Sequence, residues 1–217
     1  MNGGNFTVVS GGTATNNTAN FIGNGGDVFV LSGGTLNGTG SYTQNNGSIQ
    51  IDGTLIQSGV TINGGTVQGV GTIQSNVVNS GGTVGPGNSP GTLTIDGDYT
   101  QSASGTLTIE IDLGAHDLLD VIGNAFLDGV LDVQFTSAYL NAATDGDTFR
   151  IMNWAAHTGQ FDGPTEFMIG AYTTASLSYE SDGLNLTVNV PAPGAMVIFA
   201  IAVLSLIRQR TANTLPV

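Results

Sequence analysis

The stretch GSYTQNNGSIQID at residues 40–52 decides the fold, because it returns with a longer turn as GDYTQSASGTLTIEID at residues 97–112. In both copies a Tyr-Thr-Gln unit is followed by a polar turn and then by a segment in which apolar and polar residues alternate. Such alternation is typical of a half-buried β-strand. The two units begin at Tyr42 and Tyr99. Their spacing corresponds to three coils of roughly 19–20 residues, the size of one solenoid repeat.

Shorter repeats support the same interpretation. The triplet Gly-Gly-Thr begins at Gly11, Gly33, Gly64 and Gly81, at unequal intervals close to one coil or one and a half. Strands this short cannot bury an apolar face alone, but parallel coils stacked about 4.8 Å apart close a continuous core. The sequence therefore predicts an all-β, right-handed parallel β-helix. A sandwich of antiparallel hairpins is the alternative, since Asn46-Gly47 and Asn63-Gly64 are also favourable hairpin turns.

Composition agrees with a β-solenoid. The chain has 217 residues, of which 34 are Gly, 9% are charged and 40% are hydrophobic. Gly is unfavourable inside helices, which also carry more charge on their exposed faces, and the hydrophobic content excludes a disordered, highly charged chain. The absence of Cys excludes disulfides, thiolate metal sites and a Cys nucleophile.

The charge is strongly acidic and unevenly distributed. Sixteen acids oppose three arginines, for a net charge of −13, and only Asp27 and Asp52 precede residue 96. Nucleic acid is excluded as a partner because neutralising its phosphates requires a basic cluster. The same argument excludes anionic headgroups as partners of the main body.

We expect four regions along the chain. Residues 1–112 are the solenoid repeats, residues 113–189 are terminal coils with a more irregular β cap, residues 190–210 are a membrane or sorting segment, and residues 211–217 are a short tail. A small separate β-domain is the alternative for the second region, whose predicted strands are 118–122, 130–135, 148–153, 176–179 and 184–190.

Residues 1–5 lack the pattern of a signal peptide. Residues 3–15 already look like the repeats, so we expect further coils and an export signal upstream.

The carboxyl-terminal segment is apolar and ends in basic residues. No charged residue occurs from 183 to 207, and Arg208 and Arg210 follow. Eighteen helical residues from 190 to 207 rise about 27 Å, which is marginally enough to span a bilayer. The positive-inside rule then places the arginines in the cytoplasm and the body outside. A buried core helix is the alternative.

This segment resembles the PEP-CTERM sorting signal of exported Gram-negative proteins. Val190-Pro191-Ala192-Pro193 stands where the Pro-Glu-Pro motif belongs, the apolar helix follows, and Arg208-Gln209-Arg210 forms the basic end. The resemblance implies processing by an exosortase-type enzyme and assigns sorting or anchoring to Pro191, Ala192, Pro193, Arg208 and Arg210. The sequence departs from the signal at Ala192, where Glu is usual, and at Gln209, which interrupts the basic cluster.

The body is similar to the β-helix passenger repeats of autotransporter-type proteins. The resemblance lies in GPGNSPGTL at residues 85–93 with GDYTQ at 97–101, and in DVIG at 120–123, GDTFRI at 146–151 and GQF at 159–161. It covers about residues 60–190 and implies the β-helix fold more strongly than any one function.

Candidate chemistry is sparse. A lyase acting on acidic polysaccharides needs cations, and the exported region has only Arg150. Hydrolysis of a neutral glycan needs two carboxylates about 6.5–9.5 Å apart. Asp96 with Asp98, expected on one strand face, and Asp117 with Asp120 are the candidate pairs. Two isolated histidines, His116 and His157, make a weak case for a metal, so no metal or other cofactor is expected.

These patterns predict a non-catalytic, exported component of the cell surface or extracellular matrix, structural or adhesive. A glycan-active β-helix hydrolase is the alternative, and a membrane-anchored protein that is never processed is a third possibility. We expect Trp154 to lie in the core. The expected partners are an exosortase-type enzyme, neutral glycans or exopolysaccharide, and the inner membrane, contacted at least transiently through residues 190–207. The expected final location is the cell surface or the extracellular space.

Overall fold

The chain folds into a β-solenoid of about six turns. The computed structural model describes residues 4–16, 21–88 and 90–192. About 60% of the chain is β-strand and 2% is helix. The predicted all-β solenoid is confirmed. The predicted carboxyl-terminal helix lies outside the described residues.

Each turn contributes three short strands, numbered β1–β23 in chain order, which stack into three faces. Face 1 contains the first parts of two long strands and five short ones: β3 (Phe21–Val30), β5 (Tyr42–Ile51), β7 (Val60–Ile62), β10 (Val77–Asn79), β13 (Tyr99–Gln101), β17 (Asn124–Leu127) and β20 (Ala156–Gly159). Face 2 contains the second parts of β3 and β5 together with β1 (Asn5–Val8), β8 (Thr66–Gly69), β11 (Thr83–Pro86), β14 (Thr106–Asp112) and β18 (Val130–Phe135). Face 3 contains β2 (Thr13–Asn16), β4 (Thr35–Gly38), β6 (Thr54–Ile56), β9 (Thr72–Gln74), β12 (Thr92–Ile95), β16 (Leu118–Val121) and β19 (Thr148–Asn153).

Pairing between successive turns is parallel. On face 1 the register joins Tyr42 to Val60, Val60 to Val77 and Val77 to Tyr99, so the two Tyr-Thr-Gln units are three turns apart, as predicted. This register excludes the sandwich of antiparallel hairpins. Asn46-Gly47 lies in the bend of β5 between faces 1 and 2, and Asn63-Gly64 lies in the equivalent corner after β7.

The interior consists of aliphatic ladders that run along the solenoid axis. On face 2, inward residues of successive strands stack in register as Val28, Ile49, Val67, Val84 and Leu107. Their neighbours Thr66, Gln68 and Thr83 point outward and are half-exposed. Each turn thus completes the burial of the turn before it, which explains why strands of three or four residues are stable here.

Buried amides line the interior of the corner between faces 1 and 2. Gln44, Asn79 and Gln101 are almost fully buried. The Gln101 Nε2 group donates to the carbonyl oxygens of Gly105, Asp128 and Val130 at 3.3, 3.0 and 2.9 Å, and Tyr99 Oη donates to Gln101 Oε1 at 2.7 Å. These amides supply hydrogen bonds to backbone carbonyl groups at the corners, where the chain turns inside the solenoid.

The corner itself requires glycine. Gly65 has a φ of +74°, and a Cβ there would lie well inside van der Waals contact with the Gly47 carbonyl oxygen one turn below. Only a residue without a side chain fits both the left-handed backbone and the close approach of stacked corners.

Beyond residue 112 the turns lengthen and the pairing changes. A short antiparallel pair joins β14 to β15 (Ala115–His116), and a one-turn helix, α1 (Ser137–Leu140), is capped by Thr136, whose Oγ1 accepts from Tyr139 N at 3.2 Å. β19 then pairs antiparallel with β23 (Gly183–Asn189), which pairs with β22 (Thr174–Glu180) and through it β21 (Glu166–Met168). The antiparallel strands extend face 3 past the last parallel turn.

Candidate functional site

The outer side of face 3 carries a ladder of threonines. The parallel register aligns one residue from each of five consecutive turns: Thr13, Thr35, Thr54, Thr72 and Thr94. The same line continues through Asp120 to Asn153. Neighbours on such a line are about 4.8 Å apart, so the face presents hydroxyl groups at a regular spacing. Each hydroxyl group can both donate and accept a hydrogen bond.

A second ladder on the outer side of face 2 contains a gap. In register order it consists of Phe29, Gln50, Gln68 and Gly85. A Cβ built on Gly85 meets no atom within 4 Å, and the Gly85 backbone is not in the left-handed region. The ladder position at Gly85 is therefore open space that a side chain would fill.

This gap opens into a polar groove of 640 Å³, which we call the face-2 groove. Its floor and walls come from the second ladder, from the turn after β11, from β14 and from the residue that precedes β16. The lining residues are Gln50, Gln68, Gly85, Pro86, Gly87, Asn88, Glu110 and Asp117. The volume lies within the range of small-molecule sites, about 300–1,000 Å³.

Asp52 orients two of the amides near the groove. Its Oδ2 accepts from Gln50 Nε2 at 2.7 Å and its Oδ1 accepts from Asn88 Nδ2 at 2.9 Å. The Gln68 side chain makes no hydrogen bond to another residue in the described part of the chain. The groove thus combines two fixed amides with one that has its full hydrogen-bonding capacity.

Asp117 closes the end of the groove and is buried. Its two carboxylate oxygens accept backbone hydrogen bonds from Gly91 N at 2.8 Å and Glu110 N at 2.9 Å. Burial raises the pKa of the Asp117 carboxyl, and the nearby Glu110 charge adds to the increase, while the two backbone hydrogen bonds oppose it. Asp117 therefore fastens the turn after β11 to β14.

The carboxylate pairs predicted from sequence have different surroundings. Asp96 and Asp98 lie in the corner between β12 and β13, so the expectation that they share one strand face is wrong. Asp98 Oδ1 accepts from Asn124 N at 2.8 Å. Asp120 points outward from β16 and accepts from Asn153 Nδ2 at 2.8 Å, whereas Asp117 holds the backbone at the groove. The pair that does line one groove is Asp117 with Glu110.

The rings of the two histidines pack against aromatic side chains. His116 Nε2 is 3.1 Å from the Arg150 carbonyl oxygen, and the His116 ring contacts Phe149 edge-on. His157 lies 4.5 Å, between ring centroids, from Trp154. Among residues 4–16, 21–88 and 90–192, no group of three or more potential ligating side chains is arranged to hold a metal.

Trp154 lies in the core, as predicted. It is 4% exposed, and its Nε1 donates to the Glu180 carbonyl oxygen at 3.3 Å.

Arg150 pairs with Asp182 at 2.8 Å across β19 and the β22–β23 turn, and this contact lowers the pKa of the Asp182 carboxyl. Arg150 is the one Lys or Arg side chain of the described residues, so the rest of that surface is acidic or neutral.

The predicted sorting residues are mostly outside the described part of the chain. Pro191 and Ala192 follow β23 as irregular backbone, and Pro193, Arg208 and Arg210 lie beyond it. Within the described ranges no helix is long and apolar enough to cross a membrane.

Neither the family models nor the curated proteins compared with this chain match it. The fold and the geometry of the surface are therefore the basis for a functional assignment.

Proposed function

We propose that this protein is a non-catalytic, exported β-solenoid that serves as a structural and adhesive component of the cell surface or extracellular matrix by binding neutral glycans. The observation that carries the proposal is the line of five threonines aligned on face 3. A glycan polymer repeats hydroxyl groups along its length, and a regular ladder of hydroxyl groups offers it repeated hydrogen bonds. Many weak contacts of this kind add up through avidity.

The charge of the surface supports neutral rather than acidic glycans. Arg150, the single cation of the described residues, is already paired with Asp182. An anionic polymer would meet repulsion from the fourteen acids between residues 96 and 182, which also keep the molecules apart from one another in solution.

A glycan hydrolase is the second candidate, and one observation favours it. Glu110 and Asp117 line the same groove, and the pKa of the Asp117 carboxyl is raised, as a general acid requires. Against catalysis, both oxygens of Asp117 already hold backbone N–H groups. The assay for this candidate is the release of reducing ends from a neutral glycan. Activity in the wild-type protein that is lost in Glu110→Gln, or in the double variants Asp96→Asn/Asp98→Asn and Asp117→Asn/Asp120→Asn, would contradict the non-catalytic proposal and support the hydrolase.

Binding is tested by co-sedimentation of the full chain with neutral polysaccharides. We expect retention on amylose, curdlan or cellulose and none on the anionic polymer alginate, with little dependence on salt. Binding to alginate alone, or to none of the four, contradicts the proposal.

The sorting part of the proposal rests on residues 190–210 and their resemblance to the PEP-CTERM signal. We propose export followed by cleavage near Pro193 by an exosortase-type enzyme, with the inner membrane as an intermediate location. Intact mass of the mature protein from an exosortase-containing host tests this. Loss of the residues after about Pro193 is expected, while a mature form that retains Arg208 and Arg210 overturns processing.

The handedness of the coil belongs to the same proposal. We propose a right-handed winding, because crossover connections between parallel strands are right-handed in about 98% of cases.

A further inference from the structure

We propose that the face-2 groove is a subsite for a neutral oligosaccharide, which binds at the gap that Gly85 leaves in the second ladder. This inference rests on the proposed glycan-binding function and assigns it a location. The ladder from Phe29 through Gln50 and Gln68 to Gly85 crosses three turn spacings, or about 14 Å. That length suits a segment of a few sugar residues lying along the solenoid axis.

The gap arises because glycine occupies a ladder position whose backbone would accept a side chain. Gln50 and Gln68 fill the two preceding positions of the ladder, whereas Gly85 leaves the third open although its backbone would accept a side chain. Pro86 and Gly87 continue the floor, and Asp117 fixes the turn that forms the wall. The floor and the wall at the gap are therefore formed by backbone and by a hydrogen-bonded carboxylate.

The lining chemistry points to a polyhydroxylated, uncharged ligand. Gln50, Gln68 and Asn88 offer amide donors and acceptors, and Glu110 contributes a carboxylate at the far wall. Amides and carboxylates together match adjacent hydroxyl groups, which donate and accept at the same time. None of the described residues that line the groove is a cation that would attract an anionic sugar. Phe29, one turn from Gln50, offers a half-buried ring to the apolar side of a sugar.

The test compares full-length variants by isothermal titration with cellohexaose, maltohexaose and laminarihexaose. Gly85→Gln extends the ladder of amides into open space, so we expect it to fold and to weaken binding at least about tenfold by filling the gap. Gln68→Ala removes an amide without filling the groove and is expected to weaken binding by about three- to tenfold. Gly59→Gln is the matched control, because a Cβ on Gly59 also meets nothing within 4 Å but lies in the corner between β6 and β7.

The outcomes separate the subsite from the general function. If the wild-type protein binds neutral polysaccharides and Gly85→Gln and Gln68→Ala bind as it does, the groove is not the subsite although the function stands. If the wild-type protein binds no neutral glycan, the function itself fails. Binding that needs Ca²⁺ and is abolished by a chelator overturns the assignment, because the groove would then be a cation site. A loss in Gly59→Gln equal to that in Gly85→Gln also overturns it.

Discussion

At the scale of single residues, the buried polar side chains do most to define the structure. The alternation Tyr-Thr-Gln places Tyr99 and Gln101 on the same inward side. The Gln101 amide then donates to one carbonyl group of its own corner and to two of the corner one turn later. The sequence predicts the strand and its repeat. It does not predict the role of the glutamine, because the carbonyl groups it satisfies come from residues up to 29 positions away.

Gln101→Leu is expected to destabilise the protein by about 3–5 kcal/mol, since it leaves several buried groups without partners at about 1–3 kcal/mol each. Thr100→Ala, on the outward side of the same strand, is the control and should change stability by less than about 0.5 kcal/mol. Urea unfolding followed by circular dichroism measures both. Similar midpoints for the two variants would show that the interior amide is not needed.

Asp117 gives a pH-dependent prediction. Burial raises the pKa of its carboxyl above the unfolded value of about 3.9, so the folded state binds the proton more tightly. Its contribution to stability is therefore largest in acid and declines as the pH rises through the folded pKa. Asp117→Asn should destabilise the protein by about 1–3 kcal/mol, because one backbone N–H loses its acceptor.

The difference in unfolding free energy between wild type and Asp117→Asn should become smaller as the pH rises above about 4. Denaturant titrations at several pH values measure that difference directly, and the other acids cancel because both proteins carry them. A difference that grows with pH would mean that the hydrogen bonds from Gly91 and Glu110 outweigh burial.

At the scale of elements, strand positions were predictable and corners were not. The predicted strands 130–135 and 148–153 coincide with β18 and β19, because β-forming apolar residues interspersed with polar ones and bounded by turns are local signals. The expected pairing of Asp96 with Asp98 on one strand failed because β12 ends at Ile95 and both carboxylates lie in the corner that follows. The face-2 groove was also missed. It depends on the register of three turns, and no local pattern distinguishes Gly85 from a turn glycine.

Two corner glycines can be compared, Gly65 between faces 1 and 2 and Gly59 between β6 and β7. Gly65→Ala forces a side chain into a left-handed backbone against the Gly47 carbonyl, so we expect a loss of about 2 kcal/mol or more. Gly59→Ala occupies open space and should be neutral or slightly stabilising. Thermal melts of the two variants check this. Equal melting temperatures would show that the stacked corners relax easily.

At the scale of the whole molecule, repulsion among the acidic side chains opposes a fold that the stacking of repeated turns stabilises. The net charge of −13 comes almost entirely from the later turns and the antiparallel strands, and like charges destabilise a compact state. Raising the salt concentration from about 0.01 M to about 0.15 M shortens the Debye length from about 30 Å to about 8 Å. We expect the melting temperature to rise by about 2–4 °C, which corresponds to about 1 kcal/mol for a chain of this size. A melting temperature that falls with sodium chloride would indicate that attractive pairs such as Arg150–Asp182 dominate.

The unequal turn lengths have a practical consequence. The line of aligned residues on face 3 marks where each turn begins, and the turn from Thr94 to Asp120 is longer than any of those before it. Its extra residues form the excursion at Leu113-Gly114, where Leu113 is exposed and a Cβ on Gly114 meets nothing. A foreign peptide inserted between these two residues would project from the rod without altering the register on either side. The solenoid can therefore serve as a scaffold for displaying peptides, with the Leu113-Gly114 excursion as the insertion site.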